Sequence, residues 1–182
     1  MQVPGPTLET DRLILRPPAP EDFEPWCALM ADPETARFIG GTAAPSMVWR
    51  QLCSMAGAWT LFGHAMFSVV EKSTGRWIGR LGPWTPADWP GTEVGWALSR
   101  EAWGKGYATE GAARAIDWVF DNLGWTEVIH CIDPENLPSA KVAARLGSRF
   151  LRPGSLPPPF ESLPIELWGQ SREEWRAGRR AA

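Results

Sequence analysis

Residues 93–110 read Glu-Val-Gly-Trp-Ala-Leu-Ser-Arg-Glu-Ala-Trp-Gly-Lys-Gly-Tyr-Ala-Thr-Glu, and no other stretch constrains the fold as tightly. Glu93 to Leu98 carries a short strand pattern, Gly104 and Gly106 mark a turn, and an alanine-rich helix opens directly behind them. A helix that starts this way leaves several backbone N–H groups unpaired at the positive end of its dipole, which suits a phosphate group. The expectation is a protein whose work depends on holding a phosphate-bearing cofactor at this turn.

Two glycines alone do not establish a phosphate site, because tight strand-to-helix turns without a ligand use them as well. Here a short aromatic strand, small residues at Gly106 and Ala108, and an immediate helix start stand together. Two nucleotide-binding patterns fail on specific residues. A dinucleotide fingerprint requires glycine at position 109, which is Thr109, and a Walker loop requires Ser or Thr after Lys105, which is followed by Gly106.

The rest of the chain reads as a mixture of strands and helices. Leu13 to Arg16 is an expected first strand, ended by Pro17-Pro18, and Pro20 opens a helix running to about Ala31. Residues 46–61 have helical spacing, with Val48, Leu52, Met55 and Trp59 roughly in line. His64 to Lys72 and Trp77 to Trp84 form a hairpin pattern around Lys72-Ser73-Thr74-Gly75, and 85–91 is a loop. A helix from Tyr107 to Asn122 aligns Ala112, Ile116, Val119, Phe120 and Leu123, and Gly124 stops it. Glu127 to Ile132 is a strand, and Asn136 caps a helix reaching Leu146. Phe150 to Arg152 and Ile165 to Trp168 supply the last strands around a proline-rich stretch at 153–164. Ser171-Arg172-Glu173-Glu174 is a capping-box signature for a terminal helix through Arg180. The expected architecture is α/β with one sheet flanked by helices.

Composition narrows the function. With 182 residues a single domain spanning 1–182 is expected. A net charge of −3 argues against nucleic acid as a partner. Cys27, Cys53 and Cys131 are dispersed and odd in number, which reads as buried thiols in a reducing compartment. His64 and His130 have no partner at ligand spacing, so no metal site is expected. The N-terminal residues lack a basic-then-apolar leader, and no apolar run approaches the roughly 20 residues a spanning helix needs. The expected location is therefore cytoplasmic, away from membranes. Twelve tryptophans read mainly as core residues, with Trp49, Trp59, Trp84 and Trp89 able to line an acceptor pocket or a homodimer surface.

Trp103-Gly104-Lys105-Gly106-Tyr107-Ala108 resembles the phosphate turn of the GNAT superfamily of N-acetyltransferases, Gln/Arg-x-x-Gly-x-Gly/Ala, except that Trp103 stands at its first position. Trp-Gly-Lys-Gly-Tyr-Ala-Thr-Glu is similar to the ribosomal-protein-alanine acetyltransferase branch. Leu8-Glu9-Thr10-Asp11-Arg12-Leu13, Glu93-Val94-Gly95-Trp96, and Asn136-Leu137-Pro138-Ser139 with Leu146-Gly147 resemble further segments of that branch, in the same order.

The resemblance implies a mixed, mostly antiparallel sheet of about seven strands whose fourth and fifth members, Glu93–Leu98 and Glu127–Ile132 here, splay apart. It implies acetyl-CoA as co-substrate, with the pyrophosphate on the N–H groups of Gly104, Lys105, Gly106, Tyr107, Ala108 and Thr109 beside Trp103. The pantetheine arm would run along Trp96, Ala97 and Leu98 like an added strand, with Asn136 either bonding it or only capping its helix. The reaction implied is attack of a neutral amine on the thioester, so a proton must be removed. An α-amino group with pKa near 8 is roughly a tenth neutral at pH 7, far more than lysine near 10.4. A protein or peptide N-terminal amine is therefore expected ahead of a small-molecule amine.

Glu93 is the candidate base, against the reading of an exposed strand-end carboxylate, and His130 is the alternative, against a core histidine. Many members carry an acidic residue five positions before the Asn, where this chain has Cys131, and a tyrosine seven after it, where this chain has Ala143. Ser139 matches the serine that the alanine-acetylating branch presents to the sulfur, or is an ordinary helix-start serine. A non-catalytic acyl-CoA-binding module and transfer of another acyl group, sized by a pocket near Phe67, Trp84 and Trp96, are the rival readings. The acceptor site is expected in loops around 32–62 and 85–91.

Overall fold

The computed structural model describes residues 3–181; Met1, Gln2 and Ala182, which the single-domain expectation takes in, lie outside the described residues. Among these residues eight strands form one sheet: β1 (Leu8–Glu9), β2 (Leu13–Arg16), β3 (Phe67–Glu71), β4 (Trp77–Trp84), β5 (Glu93–Leu98), β6 (Glu127–Ile132), β7 (Arg149–Gly154) and β8 (Ile165–Ser171). Their order is β1-β2-β3-β4-β5-β6-β8-β7, and every neighbouring pair is antiparallel except the parallel β5–β6. The eighth strand, beyond the expected seven, is the two-residue β1, which extends the sheet past Leu15 and Ile14.

Among the described residues six α-helices accompany the sheet: α1 (Phe23–Ala31), α2 (Pro33–Ala36), α3 (Pro45–Phe62), α4 (Tyr107–Asn122), α5 (Leu137–Arg145) and α6 (Arg172–Ala181). Their ends follow local chemistry. Proline occupies the first position of α3, where its missing N–H costs nothing, and Gly63 ends that helix in the left-handed region at φ 72°. Ser171 and Glu174 exchange two hydrogen bonds at the start of α6, at 3.1 and 2.8 Å, so the capping box is formed. Asp32, expected only to close α1, also caps the short α2 by accepting from Glu34 N at 3.3 Å and the Thr35 hydroxyl at 2.6 Å.

Register sorts the side chains. Trp84 lies opposite Glu93, Gly82 opposite Gly95 and Arg80 opposite Ala97, so these six share one face, while Leu81 and Trp96 share the other. Helix α4 covers the second face, burying Ala112, Ala115, Ile116 and Val119. It approaches closely because Gly111 meets Leu81, where a Cβ would stand 2.5 Å away. Helix α1 lies on the first face, where Trp26 stacks on Trp77 at 6.1 Å. Asp22, buried at the start of α1, accepts from both arms of Arg16 at 2.8 and 2.7 Å and from Ser68 Oγ at 2.6 Å, which satisfies its charge. Trp59 is a core residue rather than a pocket residue: it packs on Phe67 and Trp118 and donates its N–H to Met66 O at 3.1 Å. Phe67 is likewise fully buried and lines no acyl pocket.

Strands β5 and β6 pair only at Glu93–Ile129, so they diverge beyond that point. Side chains replace the missing ladder near the fork. His130 Nδ1 donates to Val94 O at 2.6 Å, and Cys131 N donates to Glu93 Oε1 at 3.1 Å.

Candidate functional site

The turn before α4 has the features of an anion site. Gly104 and Gly106 have φ of 73° and 81°, conformations that side chains with a Cβ resist. Among the described residues, the N–H groups of Gly104 to Thr109 donate to no protein acceptor, and Gly106 caps α4 without a side-chain bond. Thr109 Oγ1 is buried there and also lacks a partner. Six free backbone donors and one hydroxyl at a helix start fit a diphosphate.

The turn is fixed from behind by residues that sequence reasoning did not assign. Glu110 accepts from the Thr10 hydroxyl at 2.5 Å, from Arg12 N at 3.0 Å and from Arg12 Nε at 2.6 Å. Arg12 also donates to Lys105 O at 2.9 Å and covers the Tyr107 ring at 4.6 Å. Tyr107 donates its hydroxyl to Glu71 on β3 at 2.6 Å. The segments 8–13 and 103–110, noticed separately in the sequence, are thus in direct contact.

In front of the turn lies a cleft of about 620 Å³. It brings together Trp96, Ala97, Leu98, Trp103, Gly104, Gly106, Tyr107, Ala108, Thr109, Asn136 and Ser139, all selected from sequence. Lys105 is not part of its lining, and its side chain is exposed with Nζ 5.9 Å from the Tyr107 ring. Residues Glu34 to Ile39 form an opposing wall. Lys141 and Arg145 of α5 line the cleft as well, and Arg37 bridges its walls by pairing with Glu135 at 2.6 Å. These cations stand where no sequence spacing pointed to them, because α2 and α5 meet only in the fold.

Asn136 Oδ1 accepts from Ser139 N at 3.2 Å, so its capping role is realised. Ser139 Oγ accepts the Trp96 indole N–H at 3.2 Å, and the Trp96 ring lies 4.9 Å from His130. His130 is fully engaged: Nδ1 faces the Val94 carbonyl, which only accepts, so Nε2 must accept from Ser148 Oγ at 3.0 Å. Gln170 in turn donates to Ser148 Oγ at 3.0 Å. Burial lowers the His130 pKa to about 4, so the ring stays neutral, and it serves as a core histidine.

Glu93 is neither exposed nor on the cleft wall described above. It is buried at the fork, where Oε2 accepts the Trp89 indole N–H at 2.5 Å and Oε1 accepts Cys131 N at 3.1 Å. Burial raises its pKa to about 7, against the pull of those two donors and of Arg80. A carboxyl poised there can take a proton at neutral pH. The Cys131 thiol is pushed up by burial and by Glu93, so it stays protonated and is no nucleophile. Among the described residues no cluster of His, Cys, Asp or Glu is arranged to hold a metal, and no helix is long and apolar enough to cross a membrane.

Comparison with known proteins agrees with this geometry. Residues 12–149 match the family described as acetyltransferase (GNAT) domain. The chain is similar to an uncharacterized N-acetyltransferase, p20, of Bacillus licheniformis, at 34% identity over 75% of this chain and 78% of that one. It is similar to an FsC-acetyl coenzyme A-N(2)-transacetylase of Aspergillus fumigatus, at 30% identity over 93% of this chain and 78% of that one. The crystal structure of an acetyltransferase from Agrobacterium tumefaciens superposes with a TM-score of 0.81 at 30% identity, covering 93% of this chain and 96% of the other.

Proposed function

This chain belongs to the GNAT acetyltransferase family and is an acetyl-CoA-dependent acyltransferase acting on an amine; we propose that its acceptor is an α-amino group, as in the branch that acetylates ribosomal-protein N-termini. Acetyl-CoA supplies an activated thioester whose carbonyl carbon a neutral amine attacks with loss of the thiolate. The observation that carries the reading is one cleft in which a strip of free N–H groups, the splayed edge of β5 and the Ser139 hydroxyl face the same space.

In that cleft and at the β5–β6 fork behind it, where Glu93 lies, the residues take separate tasks. The N–H groups of Gly104 to Thr109 and the Thr109 hydroxyl receive the pyrophosphate, with Lys141 and Arg145 adding positive charge. The backbone of Trp96 to Leu98 offers unpaired strand positions to an extended arm, and Asn136 faces it from the other wall. Glu93 accepts the amine proton. Ser139, whose oxygen already receives the Trp96 N–H, directs its own hydrogen at the developing thiolate, aided by the dipole of α5. Holding both reactants in line supplies up to about 7–11 kcal/mol of the barrier reduction.

The experiment is thiol release from acetyl-CoA with α-amines and side-chain amines compared at pH 7 and 9. The reading expects α-amines to be favoured at pH 7 and the gap to narrow at pH 9. Equal rates with lysine side chains at pH 7 would overturn the acceptor assignment.

A further inference from the structure

Arg80 is a cation without an adequate partner. It lies in β4, on the sheet face opposite Trp96 and Ser139, and shares that face with Glu93 across the register pairs of β4 and β5. Of its five N–H donors, one reaches Met66 Sδ at 3.0 Å, a weak acceptor, and Nε is sealed from solvent with no partner. Its guanidinium stands 5.3 Å over the ring of Trp26, whose own indole N–H is also buried without a partner.

The neighbouring acids are already engaged. Asp22 is taken by Arg16 and Ser68, and Glu93 by Trp89 and Cys131. Burial lowers the Arg80 pKa to about 10, only partly offset by Glu93. An under-partnered guanidinium is costly to keep in a desolvated site, and the residue as a whole is half-buried rather than fully enclosed. Met66 links the two ends of the cluster. Its sulfur touches Arg80, and at Gly95 a Cβ would meet both the Met66 methyl, at 2.8 Å, and Glu93 Oε1, at 3.2 Å.

We propose that the amine acceptor carries a carboxylate, which Arg80 receives in a bidentate fork while the amine faces Glu93. The inference rests on the acetyl-transfer reading above and names its substrate class. A planar monoanion matches one guanidinium in charge and shape, and it supplies acceptors to the donors now without them. A polyamine would meet Arg80 as a like charge. The source is a free amino acid or a peptide with an acidic residue close to its N-terminus.

The test uses the whole protein with acetyl-CoA and matched acceptors: an amino acid, its amide and its decarboxylated amine, and peptides carrying Asp or Asn at the second position. Charge-assisted bonds of this kind lead to the expectation of at least about tenfold higher kcat/KM for one carboxylate member over its neutral partner. The amino-acid and peptide arms tell the two sources apart. In Arg80→Gln that preference falls to about unity with KM for acetyl-CoA unchanged, and Arg80→Lys recovers part of it. Equal use of acid and amide by the wild type, or turnover only of amines without a carboxylate, overturns the proposal and leaves acetyl transfer standing. No turnover together with no binding of coenzyme A by calorimetry removes both. Should Arg80→Gln fail to fold, the wild-type acid-to-amide ratio decides alone.

Discussion

The Trp96 indole N–H is donated to Ser139 Oγ at 3.2 Å, tying the open edge of β5 to the first turn of α5. An indole nitrogen can only donate, so the serine oxygen is the acceptor and its own hydrogen is free to point elsewhere. Replacing Ser139 by Ala is expected to lower kcat about tenfold to a hundredfold, the scale of a lost proton or oxyanion donor, with KM for acetyl-CoA within about twofold. Trp96→Phe keeps the ring against His130 and should cost less. Steady-state kinetics on both variants check this, and an unchanged kcat in Ser139→Ala removes the role.

As the proposed base, Glu93 works only when ionised, and its pKa is raised to about 7 by burial. The rate should therefore fall as pH drops below about 7, and above it rise further only with deprotonation of the amine itself, whose pKa is about 8. Glu93→Gln should lower kcat/KM about a hundredfold or more and abolish that limb. A pH profile of kcat/KM for both proteins reads the outcome. A limb near pH 7 that persists in Glu93→Gln, over and above that of the amine itself, assigns the base elsewhere.

Gly106 caps α4 at φ 81° with its Cβ direction facing Arg12 Nη2 at 3.5 Å. Gly106→Asp adds backbone strain of about 1–2 kcal/mol and brings a like charge, on the side facing Arg12, to the turn proposed to receive phosphates. Coenzyme A affinity by calorimetry should fall at least about a hundredfold (roughly 2.7 kcal/mol), while thermal melting shows the fold retained. Gly104→Ala, whose Cβ meets nothing within 4 Å, should weaken binding less.

His130 has its folded pKa lowered to about 4 by burial, so the neutral ring stabilises the fold above its unfolded value near 6.5. That stability is lost as pH falls from about 6.5 towards 4. Glu93 works in the opposite direction, because its raised pKa favours the folded state as pH drops from about 7 to 4.5. The His130 effect is therefore measured in a Glu93→Gln background. Denaturant unfolding there should weaken on acidification by up to about 1.4 kcal/mol per pH unit, and adding His130→Gln should flatten the curve.

Local rules made much of this molecule legible. The strand, glycine turn and helix at 93–122 carry their own start and stop signals, and so does the Asn136 cap. What escaped the sequence depends on elements far apart in the chain. The Glu110 anchor needs Thr10 and Arg12, about a hundred residues away, and short α2 gives too few residues for any period. Glu93 stood in the sequence as a candidate base against an exposed strand end, and nothing local says that Trp89 folds over it and buries it. His130 carried no sign of its tautomer until Val94, Ser148 and Gln170 were in place around it.

The lone register pair joining β5 to β6 gives the molecule a seam. Ile129, Ile165 and Leu167 even form a small apolar cluster of their own on the far side of it. On the reading proposed above, a long, strand-like guest laid into that gap would act as mortar between two leaves, and the metabolite supply would set how firmly the leaves are joined. Resistance to proteolysis then tracks the free concentration of coenzyme A and its thioesters, rising by RT ln(1 + [L]/Kd).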